Sequence, residues 1–355
     1  MKIFLTFLSL LFLMGSMYAQ EGDVHLIDPI IISQPLSADR INLRESGFRN
    51  WGIEQLGFDS VMARLTGIGQ IGCICDTGLP NHRDYLPMIL DAANFSTDDS
   101  VDDGHGHSTH VAGIWNEIAP DAKLLFAKVL ANNGFGSSQR VAKGIDWCVA
   151  KGATVINLSL GSSTGDPTLL ASIVAAKAAG ATVVAAAGNS GSGQDKDNIG
   201  FPARWEQVLA VGSIDSDGGV SYFSSSGNTG DVMAPGGRIL STYLNNEYRI
   251  FSGTSMASPF VAGVTCLFRQ MVGNDGLIEQ HFEETATDIP PPGYDNLSFW
   301  GVISPAAFGV PDQPDPEPEP QPQPGFNLFG QWWFWAGSIL ICAGIVFFVF
   351  LRRRE

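Results

Sequence analysis

The chain has 355 residues, of which 45% are hydrophobic, and its formal net charge is −16. This length and hydrophobic content are enough for one large domain or two ordinary ones with a sizeable buried core. The acidic balance argues against a nucleic-acid partner, because phosphate binding requires clustered Lys and Arg.

The N-terminus has the order of a secretory signal. Residues 1–19, MKIFLTFLSLLFLMGSMYA, run from a lysine through an apolar stretch to small residues. This pattern predicts a signal peptide, with a first membrane anchor as the alternative. We expect cleavage after Ala19 and a protein that acts outside the cytoplasm. Residues 20–50 are then a short N-terminal segment.

The body, residues 51–310, alternates short apolar runs with helical periodicity. The predicted strands are IGQIGCICD, KLLFAKVL, TVINLSL, TVVAAAGN and QVLAVGSI, and the predicted helices are HVAGIWNEI, SSQRVAKGIDWCVAKG and TLLASIVAAKAAG. Apolar strands separated by helices predict an α/β fold with a mostly parallel sheet covered on both faces. Functional residues of such sheets gather at the carboxyl ends of the strands.

The C-terminus has the pattern of a membrane tether. Residues 311–325 alternate proline with acidic residues and glutamine, which predicts an extended linker. Residues 332–351 are uncharged and long enough for a transmembrane helix, followed by a basic cytoplasmic tail at 352–355. A surface-sorting signal whose helix is removed by a processing enzyme is the alternative to permanent anchoring.

The chain contains five cysteines. Cys73 and Cys75 alternate on a predicted strand, so they point the same way and are too close in sequence to pair with each other. Cys148 and Cys266 lie in helical patterns, and Cys342 lies in the predicted membrane span. We expect buried free thiols rather than a disulfide framework, which is typical of short chains with little core.

Polar residues stand where the predicted strands end or helices begin. Asp76 ends the first strand and Asn189 another, while Ser255 precedes a strongly helical run. Each has an ordinary structural interpretation, as a turn residue, a strand-end cap and a helix N-cap respectively. In the order Asp, His, Ser, however, Asp76, His107 and Ser255 match one known arrangement of the acyl-transfer triad.

The motifs around these residues resemble those of the subtilisin-like serine peptidases, the subtilases. CDTG surrounds Asp76, GHSTHVAG surrounds His107 and GTSMASP surrounds Ser255, with VINLSLG and VVAAAGNSG between them. The resemblance extends over roughly residues 51–307. It implies the family's three-layer fold and a serine endopeptidase that acts on protein or peptide substrates without a cofactor.

The resemblance also implies residue roles. Ser255 would be the nucleophile, His107 its base and Asp76 the residue that orients the base. Asn189 would supply the oxyanion hole. Substrate would pair as an added strand with Gly134, Phe135 and Gly136 on one side and Ser159, Leu160 and Gly161 on the other. The primary specificity pocket would be formed by Ala187, Gly188 and Gly200.

The sequence departs from the family pattern in two places, and each departure leads to an expectation. Only IWNE separates HVAG from IAPDAKLLFAKVL, so we expect no calcium at the family's usual strong site; the nearest candidate ligands are Asp98, Asp99, Asp102 and Asp103 in an acidic loop. Residues 20–50 are too few for the usual folding-assistant propeptide. We therefore expect folding without an intramolecular chaperone and no conventional zymogen.

Two other functions compete with this one. His105, His107 and His110 lie within six positions, a spacing that also occurs in metallohydrolases. No acidic residue or cysteine at recognisable spacing completes such a ligand set, so we expect no metal. The second alternative is a non-catalytic, membrane-tethered binding module that keeps the subtilase body.

Overall fold

The computed structural model describes residues 23–26, 30–31, 50–84, 88–274 and 276–309. The strands are, in chain order, β1 (Asp23–Leu26), β2 (Ile30–Ile31), β3 (Ile71–Asp76), β4 (Ile89–Asn94), β5 (Lys123–Lys128), β6 (Phe135–Ser137), β7 (Val155–Leu158), β8 (Leu160–Gly161), β9 (Thr182–Ala186), β10 (Leu209–Ile214), β11 (Val232–Pro235), β12 (Ile239–Tyr243) and β13 (Glu247–Ser252). The α-helices are α1 (Trp51–Gln55), α2 (Asp59–Met62), α3 (His107–Ile118), α4 (Ser138–Ala150), α5 (Pro167–Ala178), α6 (Thr254–Val272) and α7 (Ile278–Thr285).

A parallel sheet of seven strands, in the order β11-β10-β9-β7-β3-β5-β4, forms the middle of the fold. Its strands β7, β9 and β10 are buried along their whole length, as expected for a sheet covered on both faces. One hydrophobic cluster packs the sheet against α3 and α6, and a second packs the other face against α4 and α5. The predicted three-layer α/β fold is therefore confirmed.

The predicted strands and helices of the body are all present, with ends shifted by a few residues. The helix predicted from HVAGIWNEI begins earlier, because His107 itself is the first residue of α3. The strand predicted from TVINLSL is divided into β7 and β8 at Ser159.

The fold brings the predicted functional residues to one edge of the sheet. Asp76 is the last residue of β3, and Asn189 follows the end of β9 by three positions. The helices α3 and α6 start with His107 and Thr254, so their N-termini carry His107 and Ser255. This grouping is the one expected at the carboxyl ends of parallel strands.

Two small antiparallel sheets flank this edge. In the first, β1 lies between β6 and β8; in the second, β2 pairs with β13 of the β12–β13 hairpin. Both sheets include a strand from the predicted N-terminal segment 20–50, where the sequence analysis predicted no strand.

The expectation of free thiols is wrong for two cysteines. A disulfide joins Cys73 on β3 to Cys148 on α4, 75 residues away. The alternation on β3 points Cys73 and Cys75 toward the same helix, and α4 packs against that face with Cys148. Cys75 and Cys266 are free and buried, as predicted.

Several predicted segments lie outside the described residues: the signal peptide 1–19, the linker 311–325, the membrane span 332–351 with its cysteine Cys342, and the tail 352–355. Within the described residues, no helix combines the length and the apolar character that crossing a membrane requires.

Candidate active site

A buried hydrogen-bonded pair joins Asp76 to His107. His107 Nδ1 lies 2.8 Å from Asp76 Oδ1 and 2.9 Å from Oδ2, and both residues have no exposed surface. The backbone N–H of Thr77 also donates to Asp76 Oδ1, at 2.7 Å. A carboxylate in this position accepts only, so it fixes the proton of the imidazole on Nδ1 and leaves Nε2 as the basic nitrogen.

The basic nitrogen has no hydrogen-bond partner among the described residues. His107 Nε2 is therefore available to a proton from another group. An imidazole held by a carboxylate on one side and unoccupied on the other is suited to act as a general base.

Asp103 builds the turn that leads into α3. Its Oδ1 accepts hydrogen bonds from the backbone N–H groups of His105 and Gly106, at 3.0 and 2.8 Å. Its Oδ2 accepts from the N–H and the hydroxyl of Thr109, at 2.9 and 2.6 Å. A carboxylate that caps the N-terminus of a helix in this way fixes the position of the first helical residue, His107.

A buried lysine, Lys128, binds the backbone next to Asp76. Lys128 Nζ donates to the backbone carbonyl of Thr77, to Asp102 O at 3.1 Å and to Asn132 Oδ1 at 2.8 Å. It also forms an ion pair with Asp98 at 3.2 Å. Lys128 therefore connects Thr77, the residue after Asp76, to the acidic loop. Within that loop, the carboxylate of Asp98 contacts Lys128, whereas the carboxylate of Asp103 binds the start of α3.

Ser255 is the second residue of α6 and is fully buried. Its hydroxyl donates to the carbonyl of Ser159 at 3.3 Å, while the Ser159 hydroxyl donates to the carbonyl of Ser255 at 2.9 Å. These reciprocal bonds attach the start of α6 to the segment between β7 and β8, so Ser255 lies beside the predicted substrate-binding strand.

Asn189 is held against the same helix start. Its Oδ1 accepts hydrogen bonds from the N–H of Thr254 at 2.9 Å and from the Thr254 hydroxyl at 3.0 Å. These donors identify which end of the amide is the oxygen. The Nδ2 end lies 3.0 Å from the point where a Cβ on Gly253 would stand, so a side chain at that position would displace the amide.

The residues predicted to bind substrate form two parts of one groove. Phe135 and Gly136 lie on β6, directly after Gly134, and Leu160 and Gly161 lie on β8, directly after Ser159. The groove between β6 and β8 holds β1, which pairs antiparallel with both. The sequence analysis did not predict that a strand of the chain itself pairs between β6 and β8.

The predicted pocket residues also come together. Gly200 donates its N–H to the carbonyl of Ala187 at 3.0 Å, and Gly188 donates to the Thr254 hydroxyl at 3.1 Å. Gly188 has a φ of +121°, and a Cβ there would stand 2.7 Å from Ser225 Oγ, so only glycine fits without strain. These contacts place the three predicted residues beside the helix start that carries Ser255.

The three clustered histidines have separate environments. His107 is paired with Asp76, whereas His110 is buried, stacks on Phe251 with ring centroids 4.4 Å apart, and bonds through Nε2 to the Arg249 carbonyl at 3.0 Å. The ring centroids of His105 and His107 are 6.4 Å apart. Their side chains therefore do not converge on one point.

Comparison with known proteins identifies the family. A profile described as the subtilase family matches residues 67–301, about two thirds of the chain. The chain belongs to the subtilase family. Its relatives include subtilisin DY from Bacillus licheniformis, which is 40% identical over 227 residues, covering 61% of this chain and 83% of that protein. Subtilisin Savinase from Lederbergia lenta is 38% identical over 270 residues, covering 72% of this chain and 97% of that protein.

A third relative is matched over less of its length. Alkaline elastase YaB from Bacillus sp. (strain YaB) is 39% identical over 252 residues, which are 67% of this chain but only 65% of the elastase. The family is one of serine endopeptidases, as the resemblance in the motifs implies.

Sequence reasoning missed Lys128 as a support of this subtilase's site and assigned Asp103 only to an acidic loop. Lysine at the end of a predicted buried strand was a usable signal, because a buried ammonium group requires several acceptors around it. Asp103 gave a weaker signal, since a capping carboxylate four residues before His107 resembles any turn residue.

Replacement of Asn189 by Ala should lower kcat by about 10²–10³-fold, the magnitude for removing a side-chain donor from an oxyanion hole and a figure that comes from this same family. KM should change little, because such a donor acts mainly in the transition state. Steady-state kinetics on a peptide substrate measures both. Asn198→Ala is the matched control, since Asn198 is a nearby amide that bonds Ser190 and Ser226. A comparable loss in the control would contradict the assignment.

A second prediction concerns the pH dependence of stability. Burial lowers the pKa of His110 from 6.5 to about 3. The unfolded chain then binds a proton at this residue below pH 6.5 that the folded chain does not bind until about pH 3. The free energy of unfolding should therefore fall with decreasing pH across this window, by at most about 1.4 kcal/mol per pH unit for one group.

Denaturant unfolding at several pH values tests this in a Ser255→Ala background, which prevents self-digestion. His110→Gln should show a flatter dependence than the chain that retains His110. Equal slopes for the two chains would show that His110 does not titrate in this way.

Proposed function

We propose that this subtilase hydrolyses peptide bonds with Asp76, His107 and Ser255 as its catalytic triad. The observation that carries the proposal is the buried Asp76–His107 pair, whose second imidazole nitrogen has no partner among the described residues. The family motif assigns Ser255 as the nucleophile whose proton this nitrogen accepts. Ser255 lies at the start of α6, which packs beside α3.

The first chemical step is attack by Ser255 on the carbonyl carbon of a substrate peptide. The Ser255 hydroxyl turns from the Ser159 carbonyl to His107 Nε2, which takes its proton as the new C–O bond forms. Asp76 keeps the imidazole oriented and stabilises its positive charge. His107 then returns the proton to the leaving amine as the C–N bond breaks, and a water repeats the sequence to release the acyl group.

Negative charge develops on the substrate oxygen in this step and needs donors that are already in place. The Asn189 Nδ2 group and the N–H of Ser255 take that role. Thr254 contributes indirectly, because its N–H and hydroxyl hold Asn189 Oδ1 and so orient the donor end of the amide.

Substrate binds as a strand between β6 and β8, in the position that β1 occupies in this structure. Residues 134–136 and 159–161 then supply backbone hydrogen bonds, which give affinity with little dependence on side chains. Ala187, Gly188 and Gly200 line the pocket for the side chain next to the cut bond, and a glycine at its floor leaves space for a large group.

The enzyme acts outside the cytoplasm while attached to a membrane. The apolar stretch of residues 1–19 supports export, and the 332–351 segment with its basic tail supports a single anchor with the catalytic domain outside. The linker 311–325 separates the domain from the bilayer.

A fluorophosphonate probe tests the mechanism, because it reacts covalently with a serine that has been activated by a neighbouring base. The wild type should be labelled and Ser255→Ala should not, with peptide hydrolysis reduced by about 10⁶-fold, a figure that comes from this same family. Ser258→Ala is the control, since Ser258 is another buried serine of α6 and bonds Asn157.

A chelator should leave activity intact, whereas loss of activity would favour the metallohydrolase. Absence of both labelling and hydrolysis in the wild type would favour the non-catalytic binding module. Labelling that survives in Ser255→Ala would overturn the proposed nucleophile.

Cell fractionation tests the anchor. The full chain carrying Ser255→Ala should remain with membranes after an alkaline carbonate wash, whereas a chain that ends at residue 325 should be soluble. Recovery of the full chain without residues 332–355, established by mass spectrometry, would instead support removal of the helix by a processing enzyme.

A further inference from the structure

Three cysteines lie together in the core, two of them on the strand that ends at Asp76. The sulfur atoms of Cys73, Cys75 and Cys148 all lie within 4.8 Å of one another, and none of the three residues has any exposed surface. Cys73 and Cys148 form a disulfide, which leaves Cys75 as a free thiol. One disulfide and one thiol are therefore within reach of each other, and the proposed mechanism uses neither.

Cys148 is the residue that both cysteines of β3 approach. Cys75 Sγ lies 3.7 Å from Cys148 Sγ, so these two atoms need to come closer by only about 1.7 Å to reach the length of a disulfide bond. Cys73 and Cys75 occupy alternate positions on one face of β3 and cannot bond to each other without distorting the strand. Cys148 therefore has two partners within reach, and each pairing leaves the other cysteine free.

The packing of α4 on the sheet keeps Cys148 close to both partners. Gly144 precedes Cys148 by four residues and so lies on the same side of α4. A Cβ at Gly144 would stand 3.7 Å from Cys75 Sγ and 3.3 Å from the Cβ of Ala127 on β5, and it would clash with Val129. The glycine lets the helix approach the sheet closely one turn before Cys148.

We propose that Cys73, Cys75 and Cys148 form a disulfide-exchange centre, in which Cys148 pairs with Cys73 in one isomer of the chain and with Cys75 in a second. In the second isomer the covalent link lies directly before Asp76, and the chain is less active. The effect on activity rests on the proposed function, whereas the exchange itself does not.

The exchange needs no oxidant or reductant. The Cys75 thiolate attacks Cys148 Sγ, and the Cys75–Cys148 bond forms as the Cys73–Cys148 bond breaks. The electron pair of the broken bond stays on the Cys73 sulfur, which takes up a proton. One disulfide and one thiol are present before and after the step, so the oxidation state of the cluster does not change.

The surroundings of Cys75 make this exchange slow near neutral pH. Burial raises the pKa of the Cys75 thiol, and the negative charge of Asp76 raises it further. The residues of the same hydrophobic cluster on α4 and β5, such as Ile145 and Ala127, carry no charge. Because the thiolate is the attacking form, the exchange rate should rise about tenfold for each pH unit below that pKa.

The second isomer moves the covalent constraint toward the proposed triad. The link at Cys73 lies three residues before Asp76, whereas a link at Cys75 lies one residue before it. Any part of the sulfur movement that reaches the backbone displaces the Asp76 carboxylate relative to His107 Nδ1, which lies 2.8 Å from it. A displacement of about 1 Å at a catalytic group lowers the rate by as much as about 10²-fold.

Two matched variants test whether Cys148 accepts both partners. Both are made in the full chain with Ser255→Ala, which prevents self-digestion, and alanine avoids a new buried hydroxyl group. Cys75→Ala should retain the Cys73–Cys148 disulfide, and Cys73→Ala should form Cys75–Cys148, as mapped by mass spectrometry after alkylation in denaturant. Free thiols at both Cys75 and Cys148 in Cys73→Ala, under conditions that oxidise Cys75→Ala, would overturn the proposal.

The chain that keeps all three cysteines tests the exchange without relying on a variant to fold. After incubation at about pH 10, at least about a tenth of the chains should carry the free thiol at Cys73 instead of Cys75, and this level should be reached about tenfold faster than at about pH 9. Cys266 is the internal control, because it is a buried free thiol outside the cluster and should stay free. A free thiol that remains at Cys75 alone would overturn the proposal.

Activity measured with Ser255 restored tests the effect on catalysis. Cys73→Ala should have a kcat at least about tenfold below that of Cys75→Ala with little change in KM, because displacement of Asp76 affects the chemical step. The double variant Cys73→Ala/Cys148→Ala cannot form the second link and should recover most of this loss. A double variant as slow as Cys73→Ala would overturn the effect on activity. If no chain hydrolyses peptides but the exchange is observed, the proposed function fails and the exchange centre stands.

Discussion

The site depends on the hydrogen-bonded pair of Asp76 and His107, buried completely where a sheet strand ends and a helix begins. A carboxylate and an imidazole are costly to remove from water, so the surrounding structure has to supply their partners. Thr77 donates to the carboxylate, Asp103 caps the helix that carries the imidazole, and Lys128 holds the carbonyl of Thr77. The parallel sheet provides the rigid edge on which these short-range contacts are assembled.

Much of this arrangement was predictable from sequence, and the failures have physical causes. The buried strands and their helices follow from apolar periodicity, and Asp76, Asn189 and Ser255 stand out because they interrupt it. The Cys73–Cys148 disulfide was missed because its halves are 75 residues apart and only the packing of α4 on β3 brings them together. Strands β1 and β2 were missed because strands as short as β2, of two residues, draw their stability from partners distant in sequence and leave no periodic signal.

The groove between β6 and β8 shows how unpaired sheet edges bind another strand. Strand edges attract other strands because their backbone N–H and C=O groups lack partners, and most proteins cover or interrupt such edges. Here β6 and β8 present two edges facing each other, and the chain covers them with its own N-terminal strand. The cover uses the same backbone groups that the proposed substrate strand would use, so β1 protects both edges by occupying the space between them.

Lys128 has a consequence beyond its hydrogen bonds. Its ammonium group gathers oxygen atoms of Thr77, Asp102, Asn132 and Asp98 around one positive charge, much as a bound metal ion would. A cation that belongs to a side chain is always present at the stoichiometry of the protein and cannot diffuse away or exchange. The order of the loop beside Asp76 therefore depends on a residue of the chain itself, and the positive charge at this point does not vary with the ionic composition of the medium.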